Sequence, residues 1–334
     1  MLAFFTQVSP NRRRQLRRRI FSVEHKPNFT TRPILVTGAT GRHGGTGATV
    51  ARLLRDHGLP VRAFTRTADN RVGALKALGI EVATGDLHDR QSLTAALEDV
   101  EVAYFTYPVA AGVVDAAANF ASAAREAGLK RLVVMSMCAS EPDAPSAFAR
   151  EYWLAEELLD RPGFSTLHLH VLAFFFENLQ LLHRADILGD GVIKNSFADV
   201  PLLWIAGEDA GKLAVAALLQ PDCFGHQAVI SPSGRCRYSH AEIARIVGRH
   251  LGRVLRHEII TREAWEERIL ALSASDSRVN ATMAAHISAL GAAFSHGHPL
   301  PTSMFETLTG DRALSLIDVL ESNRLSFENV VEST

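Results

Sequence analysis

The chain has 334 residues, 47% of them hydrophobic and 21% charged, a balance that supplies a core and excludes a disordered or low-complexity protein. Its longest apolar stretch, around Leu167 to Phe176, is interrupted by His168 and His170 and falls short of the ~20 residues a membrane span needs, so a soluble protein is expected. The net charge of −1 is unevenly spread: residues 1–31 hold seven Arg and Lys against Glu24, which leaves 28 basic and 35 acidic residues in an acidic body that disfavours a nucleic-acid partner.

Residues 1–31 therefore form a basic, irregular arm with three readings open: a solvated tail, a cleaved segment for organelle import, or a contact for an anionic surface. No apolar run follows the arginines, so it is not a secretory signal, and without import a cytoplasmic protein is expected. Cys138, Cys223 and Cys236 form no CxxC pair, which suits three thiols in a reducing compartment. The fourteen histidines show no metal-ligand spacing, so no metal is expected.

From Pro33 onward short β-branched runs alternate with helical stretches. Ile34–Thr37 reads as a buried strand, followed by glycines and a helix over Ala48–His57. Val61–Arg66 is a second strand and Asp69–Leu78 a second helix. Ile80–Asp86 and Val100–Tyr107 are the third and fourth strands, separated by the helix Asp89–Leu97. The helix Val113–Ala127 leads to strand five, Arg131–Met137; the helix Ser146–Leu159 leads to strand six, Ser165–Leu172. Near-continuous apolar strands alternating with helices predict an α/β fold, a doubly wound parallel sheet of Rossmann type over residues 32–173.

Beyond residue 174 the pattern loosens. Helices are predicted at Phe175–Ala185, Asp209–Leu219, His240–Leu251, Arg262–Leu272 and Arg312–Ser322, with one strand at Gln227–Ile230. Residues 174–334 thus read as a smaller, mostly helical, substrate-side region interleaved with the sheet edge.

The segment V-T-G-A-T-G-R-H-G (Val36–Gly44) joins the first strand to the first helix, with Gly38, Gly41 and Gly44 spaced GxxGxxG. The first glycine permits the turn, the second lets backbone approach a pyrophosphate, and the third lets helix and sheet pack closely. Thr40 and Arg42 lie in the same loop, and the helix N-terminus adds free N–H groups for phosphate. Gly45 and Gly47 follow, so which of residues 44, 45 and 47 takes the third position stays open. Strand two ends in Thr65 and Arg66 where an NAD site carries an acid, which favours NADPH over NADH through a 2′-phosphate contact. Asp86 and Leu87, ending strand three, are expected beside the adenine. Thr106 and Tyr107, ending strand four, are expected beside the nicotinamide ribose.

TGATGRHGG, AFTR, GDLHD, RLVVMSM and VLAFFFENL together resemble the NmrA-like family of atypical short-chain dehydrogenases, over roughly Pro33 to Phe327. That resemblance implies redox-sensing regulators, triphenylmethane-dye reductases and quinone oxidoreductases as relatives. Ordinary short-chain dehydrogenases carry Ser, Tyr and Lys, the last two four apart on a helix. Ser136 occupies the Ser position; Phe148 stands where the Tyr belongs and Tyr152 where the Lys belongs, so the YxxxK pair is absent. Four residues past Tyr152 stands Glu156, which would raise a phenol pKa.

Tyr152 and Ser136 are the catalytic candidates, and Phe174, Phe175 and Phe176 with Tyr107 the candidate wall for a flat substrate. His168 and His170 share a strand face and read as core or interface, Glu177 and Asn178 as anchors for the next helix, and Asp209 as a helix cap. The expected function is an NADPH-dependent oxidoreductase that passes hydride directly to a small carbonyl, quinone or extended aromatic acceptor without a Tyr–Lys pair. A small apolar or aromatic molecule is the expected partner, and a homodimer stays open. The alternative is a non-catalytic NADP(H) sensor; an isomerase or dehydratase comes third.

Overall fold

A computed structural model describes residues 31–41, 45–67, 70–171, 174–220, 229–294 and 304–322, with Leu325 and Phe327. The basic arm over residues 1–30, Arg42 and Gly44 lie outside the described residues.

The first half follows the expected alternation: β1 (Ile34–Thr37), α1 (Thr46–Asp56), β2 (Val61–Thr65), α2 (Asn70–Ala77), β3 (Glu81–Thr84), α3 (Arg90–Ala96), β4 (Val102–Phe105), α4 (Val113–Glu126), β5 (Arg131–Met137), α5 (Ala147–Asp160) and β6 (Ser165–Val171). Every pairing among these strands is parallel, and with β10 (Val229–Ile230) they form one sheet in the order β10-β6-β5-β4-β1-β2-β3. Side-chain alternation explains why the strands read as apolar throughout. Ile34 and Val36 point into one layer, with Val50 and Leu54 of α1, while Leu35 points into the other, with Leu93, Phe105 and Phe120. Helix starts lie where the sequence offers oxygen acceptors: Asp89 accepts from Gln91 N–H, and Ser146 from Ala149 N–H.

The second half holds α6 (Glu177–Leu188), α7 (Gly207–Leu219), α8 (His240–His250), α9 (Arg262–Leu272), α10 (Ala281–Ala293), α11 (Met304–Thr309) and α12 (Leu316–Glu321). It departs from the expected pattern in two small sheets. One orders β11 (Cys236–Tyr238), β9 (Leu202–Ile205) and β7 (Phe174–Phe175); the other pairs β12 (Arg256–Ile259) with β8 (Val192–Asn195). These strands are two to four residues long, and the fully buried run LLWI shows no period of two, so neither sequence signal marks them. Phe175 belongs to β7 rather than to the following helix, and α10 and α11 were not expected.

Two hydrogen bonds tie separate parts of this half together. Glu177 Oε1, in α6, accepts from Gly207 N–H at 2.9 Å and so caps the next helix, α7. Asp209, expected as a cap, instead accepts from Leu314 N–H at 2.6 Å, because Ala206 occupies the N-cap of α7. α12 starts later than expected because Ser315 and Asp318 form a capping box. A separate apolar cluster built on Phe176, Trp204, Trp265, Met283 and Val319 fills the second half.

Candidate functional site

The loop after β1 is built by exclusion of side chains. Gly38 has φ +67°, and a Cβ there would stand 2.5 Å from Thr106 Cγ2. A Cβ on Gly47 would stand 2.5 Å from the Gly38 carbonyl oxygen, so Gly47 makes the close approach of helix to loop. α1 then opens behind Gly45 with no side-chain cap on its first N–H groups, the arrangement that receives phosphate. Thr37 locks the base of this cradle: its hydroxyl donates to Thr106 O at 3.0 Å and accepts from Thr106 N–H at 2.8 Å.

A cleft of about 570 Å³ runs over these strand ends. Gly38, Thr40, Gly41, Arg66, Asp86, Leu87, Thr106 and Tyr107 all border it. Thr65 adds a buried hydroxyl oxygen without a partner, an open position for a polar ligand. Arg66 is exposed at the rim, and Arg71, five residues on, reaches Thr40 O with Nη1 at 3.4 Å. Asp86 turns its carboxylate onto His88 N–H at 2.9 Å. His88 in turn joins Asp115 through Nδ1 at 2.8 Å and the Tyr107 hydroxyl through Nε2 at 3.0 Å, while that hydroxyl donates to Ala111 O at 2.7 Å. Burial, with the Asp86 charge second, pushes the Tyr107 phenol up. A glycine cradle, uncapped helix N–H groups, an orphaned threonine oxygen and two guanidinium groups fit a dinucleotide with an extra phosphate.

A second cavity of about 200 Å³ shares Thr46, Thr106, Tyr107 and Pro108 with the cleft. Phe174, Trp204, Trp265, His183 and His240 wall its far side, and none of the described residues lining it is Asp, Glu, Lys or Arg. Phe174 and Phe175 border the cavity, whereas Phe176 is fully buried and stacks on Trp204 with centroids 5.9 Å apart. His183 stacks on Trp265 at 5.0 Å, and burial pushes its imidazole down to about 3. His286 bonds Ser146 Oγ through Nδ1 at 2.6 Å, and burial lowers it to about 4. The histidines are therefore neutral near pH 7, and the cavity is an uncharged aromatic box.

Both hydroxyl candidates border this cavity. Tyr152 is 2% exposed and donates to Met135 O at 2.7 Å. Burial, then the nearby Glu156 carboxylate, holds its phenol far above the ordinary range. Ser136, at the carboxyl end of β5, donates to Glu156 Oε1; the other oxygen of Glu156 bonds His170 Nε2 at 2.9 Å. His168, two residues earlier, bonds Asp160 Oδ1 at 2.8 Å.

Sequence reasoning missed Arg71, His183, Trp204, His240 and Trp265. Arg71 had a local signal, a cation in the first turn of the helix after Arg66. The other four come from separate elements of the second half and converge only through its packing.

Comparison with known proteins came out consistently. The model of the NmrA-like family matches residues 30–298. An NAD(P)H azoreductase of Xenophilus azovorans is 30% identical over 251 residues, 74% of this chain and 84% of that protein. The structure of an NADPH-dependent quinone oxidoreductase from Escherichia coli, complexed with NADPH, superposes with TM-score 0.73 at 20% identity, covering 87% of this chain and 100% of that one. A triphenylmethane reductase from Citrobacter superposes with TM-score 0.71 at 20% identity, covering 87% and 98%.

Proposed function

The chain belongs to the NmrA-like family, and from that premise we propose that it is an NADPH-dependent reductase of small carbonyl, quinone or extended aromatic acceptors. The observation that carries this reading is the junction of the two voids. A cleft suited to a dinucleotide opens at Thr106–Pro108 into an uncharged, ring-walled cavity. A bound nicotinamide supplies the hydride. The chain's own residues do the rest: the loop at Gly38 and the N-terminus of α1 hold the diphosphate, and Arg66 and Arg71 hold the 2′-phosphate. Phe174, Phe175 and Trp204 present a flat apolar surface and exclude water from the acceptor.

Tyr152 is assigned to shaping the cavity floor rather than to proton transfer, because its hydroxyl is committed to Met135 O. The dye- and quinone-reducing activities named for the relatives support the acceptor class. The test is consumption of NADPH by the purified chain with a panel of quinones, aromatic aldehydes and dyes. Product formed in proportion to NADPH consumed supports the reductase. Tight NADPH binding with no turnover on any acceptor would sink it and leave the sensor reading.

A further inference from the structure

The missing Tyr–Lys pair leaves a question of proton supply, because hydride transfer to a carbonyl or quinone leaves charge on the acceptor oxygen. We propose that Ser136, Glu156 and His170 form the proton relay that neutralises it, replacing the absent pair. This rests on the reductase reading above.

Three observations carry the relay. Ser136 borders the acceptor cavity with Met135 and Thr106, and its hydroxyl, unlike that of Tyr152, is joined to a titratable pair. Glu156 is 6% exposed, and its two oxygens are divided between Ser136 Oγ and His170 Nε2. The ion-pair partner of that carboxyl is His170, a side chain able to exchange a proton with water. His170 is partly exposed, so the chain runs from the buried cavity toward solvent.

The Glu156 carboxyl joins Ser136 to His170. Ser136 Oγ–H faces Glu156 Oε1 and His170 Nε2 faces Glu156 Oε2, and Oγ–H turns to the acceptor oxygen when one is bound. In the step, hydride forms the new C–H bond and the carbonyl π pair becomes the lone pair on oxygen. That oxygen takes the Ser136 proton, and Ser136 takes one through the Glu156 carboxyl from His170 Nε2 as water protonates His170 Nδ1. His170 recovers its proton from water, so the net consumption is one hydride and one solvent proton per acceptor. Ser136 is the catalytic residue of the three; Glu156 and His170 act through it.

The test compares an acceptor that needs a proton with one that does not. A benzoquinone takes hydride and a proton, whereas a triarylmethyl cation takes hydride alone and becomes neutral. For Ser136→Ala and Glu156→Gln the quinone-to-dye ratio of kcat should fall at least tenfold, and for His170→Gln several-fold. The solvent isotope effect on quinone turnover should also change. An unchanged ratio in folded variants overturns the relay alone. Wild-type reduction of the dye without any proton-requiring acceptor also overturns it. No wild-type turnover on either acceptor overturns the reductase and the relay together.

Discussion

A methyl group on Gly47 would stand 2.5 Å from the carbonyl oxygen of Gly38, so the first turn of α1 and the phosphate loop touch backbone to backbone. Backbone cannot yield as a flexible side chain can. Gly47→Ala should therefore push the helix away from the loop, at a cost of about 1–3 kcal/mol. The expected result is a lower Tm and at least a tenfold weaker NADPH affinity, measured by thermal melting and by fluorescence titration. Gly45→Ala is the contrasting variant: nothing stands within 4 Å of its Cβ position, and it carries only the strain of φ +62°. Equal NADPH affinity in Gly47→Ala and the wild type would remove the close approach from the cofactor argument.

The proposed preference for NADPH rests on two guanidinium groups that border the cleft, Arg66 and Arg71. Charge-assisted hydrogen bonds contribute about 1.5–3 kcal/mol each. Arg66→Asp should therefore weaken NADPH about ten- to hundredfold while leaving NADH within a few-fold, and Arg71→Ala should act in the same direction. Isothermal titration with both cofactors reads the ratio directly. If Arg66→Asp weakens the two equally, Arg66 does not read the 2′-phosphate, and the same outcome for Arg71→Ala would remove Arg71.

The three consecutive phenylalanines make different contacts and should respond differently to truncation. Phe174 borders the cavity, with Phe197 and Trp204 rings at 5.1 and 5.7 Å, whereas Phe176 is stacked behind Trp204. Phe174→Ala should raise KM for a flat acceptor several-fold with NADPH affinity unchanged. Phe176→Ala should cost about 3–5 kcal/mol of stability, as large-to-small core changes do. A Phe176→Ala protein as stable as the wild type, measured in urea, would contradict the packing described.

How much of this was legible beforehand depends on how local each signal is. Most strands from Ile34 to Val171 could be read because they are buried on both faces, β3 being the exception, and all but β6 are followed directly by a helix. The cleft could be read because its residues stand at the ends of those strands: Gly38, Arg66, Asp86 and Thr106 each follow directly from a β run. The acceptor cavity was only half legible. Ser136 and Phe174 lie at strand ends, but Trp204 comes from β9, Trp265 from α9 and His240 from α8, and their meeting is decided by packing between distant segments. The pairing of Glu156 with His170 was hidden for a similar reason. It joins a helix to the adjacent strand, where spacing along the chain carries no signal, although both residues were visible as single features.

The buried histidines make stability depend on pH, and the sign follows from their environment. His183 faces the Trp265 ring, the His240 ring and the charges of His257 and Arg268; burial first, then those charges, lowers it to about 3. His286 packs on Phe148 and Ser146, and burial lowers it to about 4. Both folded values lie below the unfolded value of 6.5, so the unfolded chain binds more protons between them. The neutral rings therefore cost nothing above about pH 7, and stability falls as pH drops from about 6.5 toward the folded values. At pH 5 each such ring should cost about 2 kcal/mol relative to neutral pH, since one pKa unit is worth about 1.4 kcal/mol. Urea unfolding at pH 7.5 and pH 5 should show the loss. His183→Phe, which keeps a ring against Trp265 and removes the titration, should lose about 2 kcal/mol less over the same interval. A variant with the full wild-type pH dependence would mean that His183 does not carry its share, and that other groups account for the acid sensitivity.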